Sequence, residues 1–222
     1  MPLHEEARTD GVSYRLRTVG QLTDDEISDA YTLYHTCMEP LEIETPQKHL
    51  MDEGDFKEMM LDECITKALV VDEAGELVTF GTYTTDITAL PLLSWKFYRH
   101  WWEDEFDRGA IVYVPFIVSA GHHKAYRTFV EHIYALAAPM RGLVGVDVCD
   151  YNEDEHHFVD AIAVTTRRLS HGKSRHYRLG YQGYWLYDVT GQATYPHDLL
   201  EPGPPVASAD DEVAAAMDEV YV

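Results

Sequence analysis

Hydrophobic and polar positions along the chain change period several times, and each change marks an element. Tyr14-Arg15-Leu16-Arg17-Thr18-Val19 alternates and predicts an edge strand. Thr23 with Glu26 three residues later forms a capping box, and Ile27, Ala30, Tyr31, Tyr34 and Met38 follow at helical spacing up to Pro40. Thr45-Pro46 reads as a second cap with a first-turn proline, and Phe56, Met59 and Met60 predict a helix over 55–63. The runs 68–71 and 77–83 flank Asp72-Glu73-Ala74-Gly75 and predict a hairpin.

A segment with six large rings follows: Trp95, Phe97, Tyr98, Trp101, Trp102 and Phe106. Residues 110–118 are apolar enough for a central strand, 125–140 are helical through Phe129, Ile133 and Leu136, and 143–149 form a further strand. Residues 157–169 return to helix, and Tyr184-Trp185-Leu186-Tyr187-Asp188-Val189 is expected to close the pattern as a strand. The first half is hairpin-like, whereas strands and helices alternate in the second, where crossovers make parallel neighbours. The expected fold class is α/β (α+β): a mixed sheet of about six to seven strands with helices on both faces. Residues 1–11 are expected to be loose, 12–192 to form the domain, and 193–222 to be an acidic, disordered tail, with six acids and no Lys or Arg from Glu201 onward.

Composition narrows the function. The 222 residues carry 39 acids against 17 Lys and Arg, a net charge of −22. That field argues against nucleic acid or anionic membrane as a partner and suits an amine-bearing one. No apolar run approaches a membrane span and no leader pattern opens the chain. Cys37, Cys64 and Cys149 lack metal spacing and read as small buried hydrophobes in a reducing, cytoplasmic setting. The adjacent pairs His122-His123 and His156-His157 point apart on any regular element, so no metal site is expected.

Two segments and the order of elements resemble the acyl-CoA N-acyltransferase (GCN5-related acetyltransferase) superfamily over residues 12–190. One is Tyr113-Val114-Pro115-Phe116-Ile117-Val118 running through Ser119-Ala120-Gly121-His122-His123-Lys124 into a helix; the other is Tyr177-Arg178-Leu179-Gly180-Tyr181. The resemblance implies that the first is the central strand, pyrophosphate loop and helix that hold acetyl-CoA or another acyl-CoA. The family's loop is glycine-rich, whereas here Gly121 is followed by none. The cofactor-binding set implied is Phe116, Ile117, Val118, Gly121, His122, His123, Lys124 and Arg127, a cationic cluster in an acidic chain. Helix-start amides bind anions without requiring glycine.

Amide formation from a thioester needs a base for the amine, a polarised carbonyl and an acid for the thiolate. The resemblance assigns the carbonyl to the backbone of 116–118. Asp147 and Asp150, on and just after strand 143–149, are the candidate bases, although 150–154 also reads as a plain polar loop. Counting four back from Gly180 reaches His176, beside Tyr177, as proton donors to the thiolate; Tyr177 reads equally as a core aromatic. The rings of 95–106 suit a pocket wall, a cap over the core or a homodimer face. The sequence leaves two functions open: an N-acyltransferase acting on a primary amine of a small molecule or protein, and an inactive acetyltransferase-like binding or assembly protein.

Overall fold

The computed structural model describes residues 5–9, 12–46 and 50–180. Six strands lie side by side in chain order: β1 (Glu5–Thr9), β2 (Val12–Val19), β3 (Thr66–Val71), β4 (Leu77–Thr84), β5 (Ile111–Ser119) and β6 (Leu143–Val146). Neighbours are antiparallel from β1 to β5, and β6 alone runs parallel to its neighbour. Helix α6 (His123–Ala137) supplies the crossover that a parallel pair requires. The mixed sheet expected from the pattern is therefore present.

The sheet is covered on both faces. Helix α6 sets Ala125, Phe129, Ile133 and Ala137 against Leu16, Val70, Val112 and Val114. The opposite face receives α1 (Asp24–Met38) and α3 (Glu53–Leu61), whose Ala30, Tyr34, Phe56 and Met60 meet Leu69, Phe80, Phe116 and Val118. Farther along, Tyr98 and partly buried Trp102 and Phe106 join Ile65, Ile87, Leu90, Ile111 and Tyr113. Tyr98 comes from α4 (Trp95–Trp101), Phe106 from α5 (Glu103–Asp107), and Trp102 joins the two helices.

One irregularity organises the centre. Strand β5 advances from Tyr113 to Phe116 while β4 retreats only from Thr84 to Thr82, so one extra residue sits in β5 around Val114-Pro115. A bulge of one residue exchanges the two faces of everything beyond it. Accordingly Val112 and Val114 face α6, whereas Phe116 and Val118, of the same parity, face α1 and α3. Proline suits the bulge because it has no N–H to give to the ladder.

Several expectations need correction. Residues 5–9, expected to be loose, form β1 and take the edge position assigned to β2. Thr45 ends a short helix, α2 (Leu41–Glu44), instead of opening one; α3 is capped by Asp52, which accepts from the Asp55 amide. The strand expected over 143–149 stops at Val146, and the polar stretch after it is α7 (Asp150–Asp154), followed by α8 (Phe158–Leu169). Cys64 is exposed instead of buried, while Cys37 and Cys149 are half-buried thiols. The Thr23–Glu26 box is present in both directions and starts α1. The expected strand 184–189 and the acidic tail lie outside the described residues. Within those residues no helix is long and apolar enough to cross a membrane.

Candidate functional site

The parallel ladder between β5 and β6 runs only from Ile111–Leu143 to Val114–Val146. Beyond the bulge β5 continues to Ser119, bonded to β4 through Phe116↔Thr82, Ile117↔Gly81, Val118↔Phe80 and Ser119↔Thr79. In an antiparallel ladder alternate residues turn their backbone groups away from the paired strand. Part of the Phe116–Val118 backbone thus faces the side from which β6 has departed. An inner strand with a half-open edge can take an extended ligand as its next neighbour.

Strand β5 leads directly into α6. Ala120 donates to Val78 O at 3.1 Å, Gly121 to Ser119 O at 2.8 Å, and the Ser119 and Thr79 hydroxyls meet at 2.7 Å, which pins the turn to β4. Gly121 has φ +74°, a left-handed conformation that favours glycine. The first intrahelical bond is Tyr126 N–H to His122 O, so the amides before it have no acceptor within the helix. No side chain caps this end and its first turn holds no acid, whereas α1 opens with Asp24, Asp25 and Glu26. Gly121, His122, His123 and Lys124 are all exposed here.

Two residues of the same turn do something the sequence did not indicate. Arg127 Nε donates to Glu131 at 2.7 Å, and Arg168 of α8 approaches that carboxylate at 3.6 Å, so the Arg127 charge is already balanced. Tyr126 turns toward α8, where its ring meets Phe158 edge-on with centroids 5.4 Å apart. Its hydroxyl is buried and has no hydrogen-bond partner among the described residues, and burial pushes the phenol well above the ordinary tyrosine range. The exposed imidazoles and helix-start amides are a donor set that fits phosphate oxygens.

The other face of the same opening carries a carboxylate. Gly145 lies opposite Tyr113, and the Tyr113 ring covers it so closely that a Cβ there would stand 2.6 Å from the ring. The ring therefore lies across β6, and its hydroxyl donates to Asp147, two residues beyond Gly145. Tyr98 of α4 stands edge-on to Tyr113 at 6.0 Å between centroids. Burial, then the charge of Asp147, push the Tyr113 phenol far upward, so it stays a proton donor. Asp147 is exposed just past the last paired residue of β6, and among the described residues no cation is paired with it.

The remaining sequence candidates lie elsewhere. Asp150 opens α7 at the surface, where Glu153 of the same helix pairs with Arg178. His176 and Tyr177 are exposed, Tyr177 by 71%, which rules out a packed core aromatic. Among the described residues no hydrogen bond or ring contact joins either to Asp147. Tyr98, Tyr113, Tyr126 and Gly145 were not candidates from the sequence. Tyr113 sits inside an apolar run that reads as core, and only strand register reveals what it touches. A shallow recess on α4 and α5 is lined by Trp95, Lys96, Arg99, His100 and Glu103.

No protein-family model and no curated protein sequence matches the chain. Solved structures similar to it include a GNAT-family acetyltransferase from Listeria monocytogenes, at 14% identity and a TM-score of 0.48, covering 71% of this chain and 90% of that one. An aminoglycoside antibiotic 6'-N-acetyltransferase from Acinetobacter baumannii is similar at 9% identity and a TM-score of 0.44, covering 78% and 99%. A ribosomal-protein-alanine N-acetyltransferase from Brucella melitensis is similar at 14% identity and a TM-score of 0.43, covering 80% and 99%.

Proposed function

We propose that this protein is an acyl-CoA-dependent N-acyltransferase acting on a primary amine. The observation that carries the reading is the bulged strand β5, which outlasts its parallel partner β6 and ends in the uncapped, acid-free start of α6. A half-open strand edge beside an anion-binding helix start suits an extended ligand with a phosphate-rich end. When bound, acyl-CoA supplies a thioester, the activated acyl group that an amine can attack.

On this reading the chain divides the work between the two faces of the opening. The α6 amides, His122, His123 and Lys124 hold phosphate. Backbone amides of Phe116–Val118 orient and polarise the thioester carbonyl. Asp147, on the opposite face, takes the proton that the acceptor ammonium must lose. Asp150 flanks it and adds negative potential for a cationic acceptor, while His176 or Tyr177 returns a proton to the thiolate. The surplus of acid over the chain favours delivery of such an acceptor. The exposed rings of 95–106 are the surface proposed for self-association.

A second reading, a non-catalytic binding protein on the same scaffold, is favoured by one specific feature. Tyr126 and Phe158 meet between α6 and α8 beside the helix start, and no glycine follows Gly121 to widen the turn. Calorimetric titration with acetyl-CoA and with CoA separates the two. Heat of binding and a raised melting temperature are expected for the transferase; neither, at millimolar cofactor, leaves the binding protein.

A further inference from the structure

We infer that Tyr113, backed by Tyr98, is a positioning residue that fixes Asp147 as the carboxylate receiving an alkylammonium group. The inference rests on the proposed transferase reading for its biological meaning, and on geometry alone for the ammonium site. Tyr113 is 3% exposed and clamped between two elements: Tyr98 packs edge-on against it, and the bare backbone of Gly145 lets it lie across β6. A rigid buried ring thus delivers its hydroxyl to a surface carboxylate, the reverse of the usual mobility of an exposed Asp. With burial and the neighbouring charge both keeping the phenol protonated, the hydroxyl acts as donor only toward Asp147.

That leaves Asp147 held through one oxygen by a neutral donor and unpaired with any cation among the described residues. A carboxylate in this state has acceptor capacity for one more N–H and an uncompensated charge. It lies past the end of the β5–β6 ladder, on the face opposite α6. The group that satisfies both needs is a protonated primary amine. Asp150, Glu153 and Asp154 of α7 follow within a few residues, and Arg178 beside them is taken by Glu153. Fixing the carboxylate in advance removes part of the ordering cost of binding a small cation.

The test uses the full chain with n-butylamine as probe and n-butanol as its uncharged counterpart, followed by the carboxyl-carbon NMR signal of Asp147 at neutral pH. In the wild type the amine should shift that signal saturably and the alcohol should not. Y113F, which keeps the ring, should weaken amine affinity about tenfold, in line with losing a charge-assisted hydrogen bond. D147N, a surface change followed through the backbone amide signals of residues 145–148, should abolish binding. Amine affinity unchanged in Y113F or in D147N, or equal shifts with amine and alcohol, overturns the inference. Binding of acetyl-CoA is measured separately. If acetyl-CoA fails to bind while the amine response follows this pattern, the transferase reading falls and the ammonium site stands; acetyl-CoA binding with no amine response at Asp147 gives the converse.

Discussion

Tyr126 and Phe158 meet edge-to-face between α6 and α8, and that contact seals the Tyr126 hydroxyl away from water without giving it a partner. A buried phenol with no acceptor costs about 1–3 kcal/mol relative to one that is satisfied. Removing only the oxygen, by Tyr126→Phe, should therefore raise unfolding free energy by about 1 kcal/mol. Because the sealed hydroxyl does not reach a ligand at the helix start, the same variant should bind acetyl-CoA as tightly as wild type. Chemical denaturation and calorimetry on one sample check both; a destabilised variant contradicts the orphan assignment.

The helix start carries a second expectation. His123→Ala and Lys124→Ala should each weaken acetyl-CoA binding several-fold, and the loss should shrink as salt is added, because exposed charges are screened. Arg127→Ala should have a smaller effect, since Glu131 already holds its guanidinium. Affinities measured by titration at two ionic strengths decide this. Equal losses at all three positions would place the anion elsewhere.

Lys67 makes a prediction about pH. It is fully buried on β3, and its ammonium donates to the carbonyls of Gly20, at 2.7 Å, and Asp62. Burial lowers its pKa from 10.5 to about 8. Between those values the folded protein has released the proton while the unfolded chain still holds it. The unfolded state then binds more protons, so the lysine's contribution makes stability rise with pH across this window and opposes folding fully below it. The difference in unfolding free energy between wild type and Lys67→Met should accordingly move in favour of wild type from pH 8 to pH 10.5. A difference that stays flat would mean that Lys67 titrates normally.

Gly145 is a packing constraint with a chemical consequence. Gly145→Ala puts a methyl 2.6 Å from one ring carbon of Tyr113 and 2.8 Å from the next, so the ring must move. Overpacking of this kind costs about 1–3 kcal/mol. The displaced hydroxyl should also release Asp147, giving Gly145→Ala the weakened amine response of Tyr113→Phe. Unchanged stability, measured by denaturant midpoint, would show that the strand yields easily.

Local chemistry on the chain was enough for much of the architecture. The Thr23–Glu26 box, the 72–75 turn, the apolar run at 110–118 and the amphipathic pattern of α6 are each written within a few neighbouring residues. These decide an element's type because capping and burial periodicity are short-range. The basic residues His122, His123 and Lys124 were readable for the same reason, as a contiguous cluster at a helix start. Residues 5–9 were misread because a polar strand is made by its partner: β1 exists through pairing with β2, not through its own pattern.

What the chain order could not decide is everything that depends on register and on which face a residue occupies. The extra residue near Pro115 swaps the faces of Phe116 and Val118, and no periodicity in the sequence announces it. Tyr113 reaches Asp147, 34 positions away, only because the parallel register sets it over Gly145, and Arg127 meets Glu131 through its choice of rotamer. Side-chain type and local period are properties of short stretches, and the sequence carries them openly. Proximity between distant strands is a property of the folded sheet, and it is there that the site was assembled.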